Sequence, residues 1–507
     1  DIGYDSARMN PPTVKTRFAP SPTGEMHLGN ARTALFNALL ARHHGGVFLL
    51  RIEDTDRERS REEYGEQLQR DLRWLGLDWQ EGPGVPGAAG PYAQSERAGI
   101  YEHYFARLSA ADLAYPCYCS EQDLAIARRT QQAAGRPPRY PGTCARLSAD
   151  ERARRAGEGR RPTLRFRVPP GKTIGFNDSV RGAQRFRSEE IGDFIIRRAD
   201  GSAAFFFSNA VDDALMGVTH VLRGEDHLTN TPRQLMLLTA LDLPAPIYGH
   251  IALIVGEDGT PLSKRHGSRS LRELRETGFL PEALCNHLAR LGHTYEQEDG
   301  YLTLAELAQG FSPARLGRAP ARHDPQQLLH WQKAAIQHAS DAELWEWLRS
   351  HSFMHGRTLA DFVPQDQAIA FVQAIRHNIE LPVDAFVWAT NLFAETDNYD
   401  PDARQVIQAA GRPFFEIADA GINAGHADFR SYARAVGQAA GVKGKQLFMP
   451  LRAALTGELY DPEHGGVWRN GPELARLWDL LGQPRIQRRL RRAAALCRDA
   501  PDRTTPP

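Results

Sequence analysis

The chain has 507 residues, 41% of them hydrophobic and 24% charged, with a formal net charge of zero. That length exceeds one compact core, so two large units with smaller insertions are expected. No run of about 18 apolar residues occurs, which excludes a membrane-spanning helix. The first ten residues also lack the basic-then-apolar layout of a secretory signal. Met9 is the expected natural start, with residues 1–8 added ahead of it, and the expected location is the cytoplasm.

Residues 13–19 read as a short strand, broken by Pro20-Ser21-Pro22-Thr23-Gly24. Residues 29–42 follow with helical spacing, then an apolar strand at Val47 to Ile52 and an amphipathic helix at 61–75. Alternating strands and helices predict a parallel α/β sheet. A Cys- and Arg-rich stretch at about 110–185 reads as an insertion. The α/β pattern resumes with strands at Ala203 to Asn209 and Val218 to Arg223, a helix at 231–240, and a strand at Ile251 to Val255. From about residue 325 strand signals nearly vanish, and helical stretches at 341–350, 365–376, 402–410 and 429–440 predict a helical domain.

Two loops carry nucleotide chemistry. His27-Leu28-Gly29 opens the helix after the first strand, where free backbone N–H groups and a partial positive charge suit phosphate. Leu262-Ser263-Lys264-Arg265-His266-Gly267 follows the strand at 251–255, and a lysine there can neutralise a transferring phosphate. Taken singly, these read as a helix entry with a Thr or Asn cap and as a basic surface loop. Charge also concentrates locally: twelve Arg, no Lys and three acids lie between Arg128 and Arg167. A net charge of +9 there can attract nucleic-acid phosphates, or it is a solvated face. Five cysteines argue against a disulfide scaffold, and Cys117, Cys119 and Cys144 cluster as metal ligands do. Structural zinc takes four ligands, and no His lies between residues 104 and 219 to serve as one.

The two loops together resemble the two signatures of class I aminoacyl-tRNA synthetases. The words Arg17-Phe18-Ala19-Pro20-Ser21-Pro22-Thr23-Gly24, Arg51-Ile52-Glu53-Asp54-Thr55-Asp56, Val211-Asp212-Asp213, Arg223-Gly224-Glu225-Asp226-His227 and Thr231-Pro232-Arg233-Gln234 narrow this to the bacterial-type glutamyl-tRNA synthetases. The resemblance spans about residues 13–492. It implies a Rossmann-like parallel-sheet catalytic domain with a zinc-containing insertion, followed by an all-α anticodon-binding domain. The implied boundaries are 9–109 and 186–255 for the catalytic halves, 110–185 for the insertion, 256–324 for the signature loop and stem-contact region, 325–498 for the helical domain and 499–507 for a polar tail.

The implied activity is ATP-dependent formation of glutamyl-adenylate and transfer to the terminal adenosine of tRNA-Glu, with Mg²⁺ on the phosphates. The expected chain is a monomer. By resemblance, Arg17, Ala19, Ser21, Glu53, Phe205, Asn209 and Arg223 contact glutamate. Pro20, His27, Gly29, Asp226, Leu262, Ser263, Lys264 and Arg265 contact ATP, and His27 and Lys264 stabilise developing charge. Arginine forks match a carboxylate side chain. Two positions depart from the family pattern: Phe205 replaces a tyrosine, and Pro261 replaces the first lysine of the second signature. The Cys-x-Cys and Tyr-x₃-Cys spacing resembles the zinc site of some family members and implies Zn²⁺ on Cys117, Cys119, Cys144 and Tyr140. Glu380 falls where the family often has a more basic stretch reading the third anticodon base, which brings tRNA-Gln into the expectation as a possible second or preferred substrate. A catalytically silent tRNA-binding paralogue and a glutaminyl-tRNA synthetase are the competing readings.

Overall fold

The computed structural model describes residues 2–3, 13–56, 59–85, 87–159, 161–262, 269–297, 300–394, 399–458 and 471–497. Two compact units emerge, one of Asp1–Arg275 with Pro281–Trp331, the other of Glu276–Leu280 with Gln332–Pro507.

Apolar four-residue runs bounded by polar turns give the first unit its central strands. Strands β1 to β3 are Ile2–Gly3, Lys15–Phe18 and Val47–Leu50; β4 to β8 are Ala114–Cys117, Thr163–Phe166, Thr173–Asp178, Gly182–Arg187 and Phe194–Arg197. Strands β9 to β12 are His220–Gly224, Ile247–Ile251, Ile254–Val255 and Ala321–Arg322. The central sheet runs β10-β9-β2-β3, all parallel. Helix α1 (Leu28–His43) links β2 to β3, and α8 (Thr231–Ala240) links β9 to β10, so the chain moves outward in both directions from the β2–β9 pair. That pair is the switch point outside whose carboxyl ends such sheets bind ligands.

Helix α1 is Ala- and Leu-rich on all sides and is buried nearly all round, as expected for a helix inside a core rather than on it. Between α1 and α8 come α2 (Glu62–Trp74), α3 (Ala98–Ala110), α4 (Glu121–Ala133), α5 (Ala149–Gly157), α6 (Ser188–Ile191) and α7 (Phe205–Leu215). Strands β4-β5-β8 form an antiparallel sheet, and β6-β7 a hairpin joined in parallel by β1. Their residues Leu164, Phe166, Ile174 and Phe194 share one core cluster with Leu49, Val221 and Tyr248 of the central sheet. The inserted strands are therefore packed into the first unit's interior.

One predicted element changes type. The apolar run at 203–209 reads as a strand, but after one bridge from Ala203 to Arg197 it folds as α7 from Phe205 onward. A short apolar run is ambiguous by periodicity alone. Burial of Phe207, Ala210, Val211 and Ala214, which share one helical face, decides for helix, with Phe207 stacked 4.3 Å from Phe105.

Helices α9 (Leu271–Thr277), α10 (Pro281–Arg290), α11 (Leu304–Gly310) and α12 (Pro325–His338) follow. The second unit then contains α13 (Asp341–Arg349), α14 (Ala368–Ile375), α15 (Pro382–Phe393), α16 (Pro401–Ala410), α17 (Arg412–Ile422), α18 (Phe429–Ala440), α19 (Lys445–Thr456) and α20 (Leu474–Leu496). Among the described residues no strand follows β12. Ser340 and Asp428 close capping boxes, and proline opens α15, α16 and α17, so these helix starts are written locally. Phe371, Phe415, Tyr432, Leu477 and Leu490 belong to one core cluster among the unit's described residues. No helix among the described residues is long and apolar enough to cross a membrane.

Candidate active site

Parallel strands deliver side chains to one end of the sheet. Arg17 lies on β2, Arg51 just beyond β3 and Arg223 on β9, all three buried. Arg17 Nε donates to Asp213 at 3.2 Å, and Arg51 Nη1 donates to the same carboxylate at 2.7 Å. Arg51 Nη2 and Asn209 Nδ2 both donate to Glu53 Oε1, at 2.8 and 2.7 Å. Gln234 Nε2 donates to Asn209 Oδ1, and Arg223 Nη2 donates to Gln234 Oε1, each at 2.7 Å. One unbroken hydrogen-bonded chain therefore joins Arg17 to Arg223 through Glu53 and Asn209.

The charge balance within that chain is uneven. Burial alone would raise the Asp213 pKa, but Arg17 and Arg51 outweigh it and hold the carboxyl below its usual range. Burial raises Glu53, with Arg51 opposing. Arg223 makes no ion pair among the described residues, and burial pulls its pKa down to about 10. Its Nε and Nη2 are engaged, whereas Nη1 is buried without a partner. A buried, charged, unpaired donor is suited to an incoming carboxylate oxygen.

The surrounding loops complete the crevice. Pro20 O accepts from Glu53 N at 3.0 Å, which ties the Ala19-Pro20-Ser21 loop to β3's carboxyl end; Ser21 is exposed. His27 is the N-cap of α1 and makes no side-chain capping bond, unlike the Thr or Asn cap that the sequence admits. Its exposed ring thus stands beside the first-turn N–H groups. A Cβ on Gly29 would meet only open space, so the backbone there is accessible to a ligand. Phe205 and Asn209 are one helical turn apart on α7, and the Phe205 ring lies 5.2 Å from that of His227. His227 Nε2 is 3.5 Å from Asp226, and burial pushes its pKa down to about 4, leaving a neutral imidazole at neutral pH. Leu262 N donates to Ile254 O across a hairpin in which Pro261 bridges Val255. Ser263, Lys264 and Arg265 lie outside the described residues.

The cysteine cluster is a compact donor set. The Cys117, Cys119 and Cys144 sulfurs lie within 4.8 Å of one another, and Cys119 Sγ is 3.6 Å from Cys144 Sγ. Tyr140 Oη is 3.4 Å from Cys117 Sγ and 3.6 Å from Cys119 Sγ. Ligands about 2.3 Å from a tetrahedral zinc stand roughly 3.8 Å apart, so four donors at this spacing fit that ion. Tyr118 N donates to Cys144 Sγ at 3.4 Å, a backbone bond suited to a thiolate. A cavity of about 840 Å³ separates this cluster from α7; Arg128, Arg139, Arg165, Arg198 and Arg233 line it, and Phe205 forms part of its wall.

Glu380 sits in the second unit, where its carboxylate is 2.5 Å from Lys333 Nζ and its own N–H donates to Asp384. Sequence reasoning assigned no role to Arg51, Asp213, Gln234 or Thr231, although all four stand in the motifs that it singled out. A pair of adjacent acids at Asp212-Asp213 was the available signal. Asp178 and His250 carry no such signal.

A parallel-sheet switch point with a helix N-terminus open beside it is the arrangement of a nucleotide-binding α/β domain. The family model for class I tRNA synthetases (E and Q), catalytic domain, matches residues 13–330, and that for the anticodon binding domain matches 357–494. Glutamate–tRNA ligase 2 of Alkalilimnicola ehrlichii is 60% identical over 91% of this chain and 95% of its own length. Its counterpart in Nitrosococcus oceani is 58% identical over 95% and 98%. A crystal structure of a glutamate tRNA ligase from Elizabethkingia meningosepticum, in complex with its amino acid, has a TM-score of 0.84 at 26% identity, covering 95% of this chain and 99% of that one. The chain belongs to the glutamate–tRNA ligases.

Replacing Asp213 by Asn removes one carboxylate from between two buried guanidinium groups. The expected loss is about 3–5 kcal/mol of stability at neutral pH, read from urea unfolding. Because the folded pKa is depressed, the stabilisation exists above the unfolded carboxylate pKa of about 3.9 and is lost as pH falls through the lower folded value. The acid-denaturation limb of Asp213→Asn should therefore be shallower than that of the parent.

Proposed function

We propose that the β2–β9 crevice binds L-glutamate and ATP, forms glutamyl-adenylate, and passes the glutamyl group to tRNA. The observation that carries this assignment is Arg223, a fixed buried cation with an unpaired Nη1 beside the Glu53–Asn209–Gln234 network. Arg17 and Arg223 receive the substrate side-chain carboxylate, and Glu53 faces its ammonium. Ala19, Ser21 and Asn209 line the pocket, while Phe205 offers a ring edge without a hydroxyl.

The substrate α-carboxylate attacks the α-phosphorus of ATP and pyrophosphate leaves. A ribose hydroxyl of the terminal tRNA adenosine then attacks the activated carbonyl, and AMP leaves. No protein nucleophile is needed; positioning and charge stabilisation carry the rate. His27 and the free N–H groups of α1 take phosphate oxygens, with Pro20 and Gly29 shaping the cradle. Asp226 flanks the adenosine, and Leu262, Ser263, Lys264 and Arg265 flank the pyrophosphate. Mg²⁺ shields the phosphate charge when bound. ATP–pyrophosphate exchange with tRNA present tests the assignment. Glutamate-dependent exchange is expected, and no exchange with any amino acid would favour a silent tRNA binder. Lys264→Ala should abolish most exchange while tRNA binding persists, since Pro261 leaves no lysine at the neighbouring signature position.

The donor spacing supports one structural zinc held by Cys117, Cys119, Cys144 and Tyr140. Elemental analysis of protein purified without chelator should give one zinc per chain. Three freely titrating thiols and no metal would reduce the cluster to core cysteines, and full zinc affinity in Tyr140→Phe would remove the fourth ligand.

A second reading concerns tRNA choice and rests on Glu380 standing where the resemblance places a more basic stretch. Arginine there would reward the acceptor edge of cytosine, a preference that a carboxylate does not supply. Relaxed use of tRNA-Gln follows, giving Glu-tRNA-Gln. Comparison of kcat/KM for the two purified tRNAs tests it: a preference for tRNA-Glu above about a hundredfold, near 2.7 kcal/mol, would end this reading. Glu380→Arg should move the ratio toward tRNA-Glu.

A further inference from the structure

Arg223 is held from behind by His250, which no motif marks, and by Thr231. Its Nε donates to His250 Nε2 at 3.1 Å, and its Nη2 donates to Thr231 Oγ1 at 2.7 Å. His250 is fully buried on β10, and its Nδ1 lies 2.5 Å from Asp178 Oδ2. The chemistry of the neighbours dictates the tautomer. Arginine can only donate, so Nε2 must present its lone pair; a carboxylate can only accept, so Nδ1 must carry the proton. Thr231 Oγ1 accepts from Arg223 and lies 3.0 Å from Nε2.

Asp178 is itself fixed. It ends β6, and its Oδ1 accepts from Val180 N, Arg181 N and His250 N at 2.9, 2.8 and 3.2 Å. This turn lies directly on β10, because Ser179 N donates to Tyr248 O at 2.8 Å. A Cβ on Gly249 would stand 2.4 Å from Ser179 Oγ, so the close approach needs glycine beside His250. Burial keeps the His250 pKa below its ordinary value, which leaves the ring neutral.

We propose that Asp178 and His250 are positioning residues for glutamate recognition, a neutral-imidazole relay that aims the Arg223 guanidinium and leaves its charge uncompensated for the substrate carboxylate. A carboxylate in direct contact with Arg223 would fix its geometry equally well but would cancel the charge that the substrate must find. An intervening imidazole gives the geometry and keeps Asp178 one ring away. The proposal rests on the assignment of Arg223 to glutamate.

Asp178→Asn is the discriminating variant. Asn Oδ1 can keep the three backbone bonds, while its amide N–H₂ replaces Oδ2 and donates to Nδ1. The ring proton then moves to Nε2, against Arg223 Nε–H. With the full-length protein and bound tRNA, KM for glutamate should rise at least tenfold, about 1.4 kcal/mol. The KM for ATP and kcat should stay within twofold. ¹⁵N-histidine spectra should show the His250 proton on Nδ1 in the parent and on Nε2 in the variant. His250→Gln, which keeps an acceptor for Arg223, should retain most of the glutamate affinity that His250→Phe loses. An unchanged glutamate KM in Asp178→Asn with the tautomer moved would overturn the relay, as would a proton that stays on Nδ1. Arg223→Gln separates the two ideas. If it leaves glutamate KM unchanged, the assignment of Arg223 fails; if it raises KM and Asp178→Asn does not, only the relay fails.

Discussion

The pocket depends on one buried carboxylate shared by two arginines. Asp213 accepts from Arg17 and from Arg51, and without it Arg17 loses its ion pair and Arg51 keeps only Glu53. Because Asp213 is on α7, the ion pairs fix the rotation of that helix, and with it Asn209 one turn earlier. The preceding residue, Asp212, clamps the helix on another side, accepting from Arg97, Gln94 and Tyr101 at 2.7, 2.9 and 2.7 Å. Two adjacent acids thus hold α7 against groups from three separate stretches of chain. The desolvation cost of so many buried charges is offset only when every partner is in place.

Topology is what makes such a network reachable. Residues 17, 51 and 223 are distant in sequence, yet β2, β3 and β9 are neighbours in one parallel sheet and end at the same side. A parallel sheet needs crossovers, and here α1 supplies one while α7 and α8 bring carboxylate and amide partners over the strand ends. The hairpin β6-β7 closes the far edge, placing Asp178 on β10 and Arg181 against Glu225, whose carboxylate also accepts from Leu253 N.

Much of this arrangement is legible in the sequence. Residues 61–75 have an apolar stripe at helical spacing and bury it, whereas 29–42 and 231–240 are helices buried on most sides, marked by length and composition more than by a stripe. The motif words around Arg17, Glu53, Asn209 and Arg223 pointed to one site, and those side chains do meet in one hydrogen-bonded chain. The run at 203–209 misled because three consecutive phenylalanines satisfy a strand as well as a helix, and only packing against Phe105 separates the two. Partners were the least legible feature. Gln234 stands in a quoted motif, but nothing in its neighbours says that its amide bridges Asn209 to Arg223. Asp178 and His250 are 72 residues apart, and a pairing across that distance is a property of sheet order, not of local pattern.

The hydrogen-bond pattern around Arg223 shows why the arrangement suits recognition better than stability. Among the described residues, Nη1 of Arg223 is the one terminal guanidinium nitrogen that is both buried and unpartnered. Leaving a buried donor unsatisfied costs about 1–3 kcal/mol, more for a charged group. A carboxylate in place of His250 or Gln234 would neutralise the guanidinium and stabilise the fold. It would also cancel the charge that, under the proposed assignment, an incoming carboxylate is to meet. The neutral partners on Nε and Nη2 therefore read as a compromise in which the fold tolerates an unmet charge so that a ligand can meet it. Arg17 and Arg51 sit in the opposite regime, compensated and rigid, and form the frame against which the unmet charge is aimed.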